Sequence, residues 1–314
     1  MFGQIIKGIR RELGLTQKDF SVVLANKSEE FRQIDFVTIS RWEREKTLPN
    51  KARAVRVLRT LGKDLRPYLR HLSETEQISK DTVEEFVFER FHSPLLQKTL
   101  AVHGLAPSRE EANIGHDKAF LKVNDPMLEV IKSYHSRFNQ KRLQQFSMDL
   151  YLYQEEGKLH GYRFYSPNEP ENILGYSIAF FFKQQDLENQ IESQGCEVDF
   201  TKAARYKIDE TLSIFFASGS VISSSLFKYN LTHQLKFLAE HSNITLVFVS
   251  IRIEAMVSFL TNIGFEIVAT ENPIKKGKGG VKVGRRYYES CIMKIDTSVL
   301  LTSKEALYLL QNEL

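Results

Sequence analysis

The sequence predicts two architectures in one chain of 314 residues: an all-α bundle over residues 1–72 and an α/β (α+β) mixed sheet flanked by helices over residues 126–314. Three observations carry this. Helix-start residues followed by apolar side chains at three-to-four spacing recur through the first 72 residues. The charge is uneven: residues 1–72 hold 16 Lys plus Arg against 8 Asp plus Glu, net +8 in a chain of net +4, which leaves −4 for the remainder. After Asp125 the apolar pattern shifts from helical to alternating.

In the first segment Thr16 is positioned to cap one short helix and Asp35 the next, because a short oxygen-bearing side chain can accept a bond from an unpaired first-turn amide. Phe20, Val23 and Leu24 give one helix an apolar face, and Ile39 and Trp42 give the next one its own. The opposite face of that helix presents Phe36, Val37, Thr38, Ser40, Arg41 and Arg44, with Lys46 just beyond.

The runs Gly14-Leu15-Thr16-Gln17 and Ile39-Ser40-Arg41-Trp42-Glu43-Arg44, followed by Leu48-Pro49, resemble the Xre/Cro-type helix-turn-helix over roughly the first 72 residues. The resemblance implies that the outward face is a recognition surface for double-stranded DNA. It also implies that Gln17 touches phosphate and that Arg10 pairs with Glu43 to lock the helices. Ala25 to Gln33 fill nine positions where the family has about one, so a long polar loop is expected there. A basic end on an acidic body suits a partner made of phosphates. The series Lys51, Arg53, Arg56, Arg59, Lys63, Arg66 and Arg70 continues it along two more predicted helices.

Residues 73–125 read as a helical connector. Apolar stripes at Thr82 to Val87 and Leu95 to Leu100 are free to pack on the body or to pair two chains, and a polar break follows at Pro107 to Glu111. A homodimer is expected, since one helix-turn-helix reads few base pairs.

The last segment opens with a predicted helix, Pro126 to Phe138. A hairpin of Phe146 to Tyr153 and His160 to Phe164 follows, turning at Glu155 to Lys158, and then a strand from Gly175 to Phe182. Next come a polar helix from Lys183 to Gln194, a strand at Leu212 to Ala217, a helix from about Ile222 to His241 and a buried strand from Thr245 to Ile251. A helix from Glu254 to Asn262, a strand from Ile263 to Val268 and a closing strand from Tyr287 to Ile295 end the order. The order resembles the GCN5-related acetyltransferase (GNAT) fold and, within it, the acyl-homoserine-lactone and N-acyl-amino-acid synthase branch, over roughly residues 126–297.

That resemblance implies a coenzyme A loop at Ser218, Gly219, Ser220, Val221 and Ile222, opening a helix whose amides and dipole favour phosphate. Here it has a single glycine. The tyrosine that many members use as general acid corresponds to Leu260, which has no proton to donate. Glu210 is the one candidate base. A loop of Lys275, Lys276, Lys278, Lys282, Arg285 and Arg286 interleaved with glycines suits either a solvated hairpin or a grip on phosphate.

Two cysteines, Cys196 and Cys291, and scattered histidines give no metal-ligand spacing and no disulfide framework, so no metal is expected. No apolar run spans a bilayer and no leader is evident, so a cytoplasmic protein without membrane partners is expected. The reading is a sequence-specific transcription regulator of the Xre family with an acyltransferase-like sensor or dimerisation domain that has lost catalysis. No cofactor is required, and an acyl-coenzyme A or other acyl compound is the candidate ligand. The alternatives are an acyltransferase carrying a DNA-binding domain, and a fused repressor–acetyltransferase toxin.

Overall fold

The computed structural model describes residues 1–76, 80–94, 117–129, 131–132, 148–275 and 280–311. The chain forms two compact units, and they do not follow the order of the sequence. One comprises Met1–Ser79, Leu235–Ser242 and Thr297–Leu314; the other comprises Lys80–Gln234 and Asn243–Asp296.

The first unit is helical: α1 (Phe2–Glu12), α2 (Gln17–Lys27), α3 (Phe36–Glu43), α4 (Lys51–Thr60) and α5 (Arg66–Thr75). Both expected caps are formed. Thr16 accepts from the Asp19 amide at 3.2 Å while Asp19 accepts from the Thr16 amide, a capping box, and Asp35 accepts from the Thr38 amide at 2.7 Å. Ile6, Phe20, Leu24, Ile39 and Leu58 have no exposed surface and form the core. α1 and α3 approach so closely that a Cβ on Gly3 would lie 2.1 Å from the Trp42 carbonyl oxygen.

The expected long polar loop is shorter and less polar than its sequence suggests. α2 runs on to Lys27, a 3-10 turn spans Glu29–Phe31, and Phe31 is fully buried. One aromatic anchor, flanked by Ile34 at 4% exposure, ties the insertion to the core. The unit also takes in two helices from the chain's other end, Thr297–Leu301 and Lys304–Leu310, where Leu301, Leu307 and Leu310 have no exposed surface. The first packs on α4 and the second on α5.

The second unit is built on a seven-stranded mixed sheet. Its strands are β1 (Asp117–Ala119), β2 (Leu159–Ser166), β3 (Glu169–Lys183), β4 (Leu212–Val221), β5 (Ile244–Ile251), β6 (Glu266–Thr270) and β10 (Cys291–Asp296). Three short strands, β7 (Pro273–Ile274), β8 (Val281–Val283) and β9 (Arg286–Tyr288), form a separate small sheet. The main order is β1-β2-β3-β4-β5-β10-β6, and every neighbouring pair is antiparallel except β4 and β5.

Strand alternation separates two faces. On one, Tyr176, Ile178, Phe180 and Phe182 meet Met127, Ile131, Leu187, Ile191 and Phe200 in the main apolar core. On the other, Tyr162 and Phe164 lie against His233 and Tyr229 of the helix Ser224–Glu240, and Gln234 donates to the Ser177 hydroxyl at 3.0 Å. The helix Lys80–Phe91 carries the Thr82 to Val87 stripe. It packs on this unit through Phe86, stacked 4.1 Å from Phe259.

Several expected elements change type. Residues 150–153 of the strand expected at Phe146 to Tyr153 belong instead to a helix, Leu150–Glu155, because Asp149 accepts from the Leu152 amide at 3.1 Å and caps that turn. The hairpin is therefore β2 with β3, turning at Pro167-Asn168. Residues 117–119 of the expected helical connector pair with β2 as an edge strand. The closing strand is interrupted at Glu289-Ser290. The stripe Leu95 to Leu100, the break at Pro107 to Glu111, Phe146 and most of the helix expected after Pro126 lie outside the described residues.

Candidate nucleic-acid interface and candidate ligand site

α3 is held from beneath and open above. Arg10 donates to both carboxylate oxygens of Glu43, at 2.5 and 3.0 Å, and Gln17 donates to the same carboxylate at 2.8 Å. Glu43 is 5% exposed. Burial alone would push its carboxyl up, yet the bonds from Arg10 and Gln17 overcome this and hold it below its usual value, while Arg10 is raised. Three segments are thus joined at one buried carboxylate. The amide nitrogen of Gln17, which the resemblance directs to phosphate, is engaged by Glu43.

On the outward face Phe36 is 54% exposed, Arg41, Arg44 and Lys46 are exposed, and Val37, Thr38 and Ser40 are half-buried. Among the described residues Arg41, Arg44 and Lys46 make no ion pair; Arg44 Nε donates to the Ser40 carbonyl at 3.1 Å. Five residues of the basic series that follows behave differently. Lys51 pairs with Glu76 at 2.6 Å, Arg56 with Glu30 at 2.5 Å, Lys63 with Glu12 at 3.0 Å and Arg66 with Asp64 at 2.7 Å. Arg59, 5% exposed, donates to the carbonyls of Leu238, His241 and Ser242 at 2.8, 3.1 and 3.2 Å. Those are carbonyls at a helix C-terminus, which a buried cation satisfies. Nothing in the spacing of Arg59 announces this role.

In the second unit the expected coenzyme A loop is not a loop. Ser218, Gly219, Ser220 and Val221 belong to β4, facing Ile178, Ser177, Tyr176 and Gly175 of β3, and the Ile222 amide donates to the Leu174 carbonyl at 3.0 Å. Val221 and Ile222 are buried. The turn into the following helix is shorter, and Ser223 accepts from the Leu226 amide at 3.2 Å, capping the helix with its own side chain.

The other edge of β4 is different. β4 and β5 pair from Leu212 with Ile244 to Phe216 with Val249 and no further, although β4 continues to Val221. A bulge in β4 accompanies the break, where the register with β3 shifts at Ile178/Ala179. The pairing of β5 with β4 thus stops short of Ala217 to Val221.

Glu210 lies just before β4, half-buried, at 2.5 Å from the Lys207 ammonium. The bond from Lys207 holds its carboxyl below the usual value. A depressed carboxyl is a poor proton acceptor at neutral pH. Leu260 falls in the helix Glu254–Ile263 and brings no titratable group. Burial pushes the Cys291 thiol up to about 12, and Cys196 and Cys291 form no disulfide. Among the described residues there is no group of three metal-ligating side chains and no helix long and apolar enough to cross a membrane.

Two further polar groupings were not singled out by sequence reasoning. Asp125 and Arg163 face each other at 3.4 Å, almost wholly buried. The Tyr162 hydroxyl and His160 Nε2 share a 2.5 Å hydrogen bond beside His233, and burial raises the Tyr162 phenol. The first joins two separate segments, whereas the second joins neighbours on β2 that meet His233 from another element.

No family model and no curated protein matches the chain. Solved structures do match. NAA60 of Arabidopsis thaliana in complex with a bisubstrate analogue is 11% identical with a TM-score of 0.35, covering 58% of this chain and 98% of its own. A probable acetyltransferase from Staphylococcus epidermidis ATCC 12228 is 11% identical with a TM-score of 0.33, covering 58% and 99%. The ribosomal-protein-S18-alanine N-acetyltransferase from Escherichia coli is 9% identical with a TM-score of 0.32, covering 58% and 94%. The second unit has the fold class expected from its sequence, a mixed sheet flanked by helices in which β4 and β5 are the parallel pair.

Proposed function

We propose that this protein is a sequence-specific DNA-binding transcription regulator whose GNAT-like unit serves as a sensor or dimerisation body. The observation that carries the reading is the contrast at α3: its buried side is fixed by Arg10, Gln17 and Glu43, while Arg41 and, just past its end, Arg44 and Lys46 stand exposed without ion pairs among the described residues. A rigid helix presenting uncompensated cations suits the major groove, and Phe36, Val37 and Thr38 at its N-terminus are where base edges are met. The protein acts as a homodimer on a two-fold site in the cytoplasm. A ligand on the GNAT-like unit alters DNA affinity only through its differential affinity for the dimer's two arrangements.

Arg41→Ala tests this in binding selections on the whole protein. Loss of a bidentate contact to guanine weakens operator binding by about 1–3 kcal/mol and relaxes preference at one base pair. Equal loss on every sequence makes Arg41 a phosphate contact, and no loss removes α3 from the interface.

A second reading, an acyltransferase carrying a DNA-binding domain, is favoured by one observation: the parallel β4 and β5 cease to pair after Phe216 and Val249, as two strands that admit an acyl-thioester between them would. It requires coenzyme A as co-substrate. Turnover of an acyl-coenzyme A by the whole protein would establish it.

A further inference from the structure

The basic segment that follows β6 folds into a small arm of its own. Residues 275–286 contain six Lys or Arg and no Asp or Glu; Lys276 and Lys278 lie outside the described residues. β7, β9 and β8 pair in that order as an antiparallel three-stranded sheet. A two-residue turn, Gly284-Arg285, joins Val283 to its partner Arg286, and Gly284 takes φ +59, the sign that the first position of a tight hairpin turn requires. The arm is fastened at its root. Val281 has no exposed surface, and Gly280 bridges to Ile253. Arg285 therefore stands at the tip of a short, fixed hairpin, with Lys282 on one strand and Arg286 on the other.

The charge of the arm is not compensated. Lys275, Lys282, Arg285 and Arg286 are exposed, and none makes an ion pair among the described residues. Four other cations of the same unit are paired: Lys158 with Glu156 at 2.6 Å, Lys207 with Glu210 at 2.5 Å, Lys228 with Glu84 at 3.0 Å and Lys294 with Glu188 at 3.2 Å. The two acids that flank the arm are engaged elsewhere. Glu271 accepts from the Ser290 hydroxyl, and Glu289 accepts from the Asn272 amide at 3.3 Å.

These features define the partner. Like charges fixed side by side repel one another, and a polyanion relieves that repulsion. Four exposed cations at separate positions suit a line of phosphates better than a single one. Lys and Arg are the only polar side chains in residues 275–286, donors without acceptors, which suits contacts to the phosphate backbone. A pre-formed hairpin has also given up its backbone freedom on folding, so less is lost when it binds. Among the described residues no large apolar side chain of the arm is exposed, so it has no wedge with which to enter a lipid surface.

We infer that this arm is a second DNA-binding element, which grips the phosphate backbone of double-stranded DNA without reading its sequence. The GNAT-like unit thereby holds DNA itself, in addition to α3. The inference rests on the DNA reading for its partner.

Fluorescence anisotropy on the whole protein tests it, with a random-sequence duplex and with a duplex selected from that pool by the protein. The triple variant Lys282→Gln, Arg285→Gln, Arg286→Gln alters only exposed positions. It flattens the log–log dependence of affinity on salt by about 0.9 for each of the three cations that meets a phosphate, on both duplexes, and base preference is kept. A control variant, Lys132→Gln, Lys158→Gln, Lys202→Gln, removes the same charge from cations paired with Glu129, Glu156 and Asp199 and leaves the slope as it was. If the protein shows no base preference yet its salt slope depends on the arm, the arm stands and the α3 reading falls. If base preference is present and the triple variant leaves the slope unchanged, the α3 reading stands and the arm falls. Equal flattening by the control variant means that net charge and not contact is at work, and it overturns the inference. So does binding to phosphatidylserine vesicles that the triple variant abolishes while DNA binding is untouched, which gives the arm to a membrane surface.

Discussion

α3 and the end of β4 are two places where the sequence points to an anionic partner, and they differ in what does the binding. α3 offers side chains. Its buried face is closed by Glu43 while its cations stay free, so the pattern Ile39-Ser40-Arg41-Trp42-Glu43-Arg44 converts directly into one inner and one outer face. β4 was expected to offer backbone amides. Their availability depends on which strand lies alongside: β3 takes the edge of Ser218 to Val221 on one side, and the pairing with β5 on the other stops at Phe216. Side-chain sites follow local periodicity; backbone sites follow long-range pairing.

The strongest way to break the comparison is to remove its lock. Glu43→Ala leaves the Arg10 guanidinium and the Gln17 amide without their shared acceptor, and breaking a buried pair from one side costs about 3–5 kcal/mol. Thermal unfolding should show the helical unit melting far earlier, and an unchanged melting temperature would mean that packing alone fixes α3. The pH dependence has a definite sign. The Glu43 carboxyl lies below its ordinary 4.5, so its contribution is complete above that value and is lost as pH falls through the lower folded value. Glu43→Gln should flatten that acid limb.

Next in size is Arg59. Arg59→Ala removes charged donors from three helix-end carbonyls, and hydrogen bonds to charged groups are worth about 1.5–3 kcal/mol each, with partial recovery through water. The expected result is a clear loss of stability. A neutral outcome would show that water replaces the guanidinium fully. A smaller effect belongs to Thr16→Ala, which removes one cap and costs about 1 kcal/mol in chemical denaturation.

The smallest effect sharpens the comparison from the β4 side. With Glu210 held ionised by Lys207 and Leu260 unable to protonate a thiolate, acetyl-coenzyme A should not turn over measurably, and Glu210→Gln should change nothing in that assay. Turnover that Glu210→Gln abolishes would promote the acyltransferase reading.

The places where sequence and structure part share a cause. Phe31 sits among polar residues yet is fully buried, because an insertion needs one anchor and any large apolar side chain can provide it. Residues 150–153 alternate like a strand, but Asp149 caps them as a helix. The helical unit extends past residue 72 because Leu301, Leu307 and Leu310 bury on α4 and α5, and contiguous reading does not join segments so far apart.

By itself the sequence determined the helix caps, the apolar stripes, the outward cations of α3 and the alternation that makes a sheet, since each depends on residues within a turn or two of one another. The tertiary structure decided which cations are spent: Arg59 on helix-end carbonyls, and Lys51, Arg56 and Lys63 on carboxylates. It also decided how far β5 accompanies β4. A charge or an amide is available only when no partner comes within about 3 Å, and the nearness of distant segments is settled by packing rather than by any local pattern.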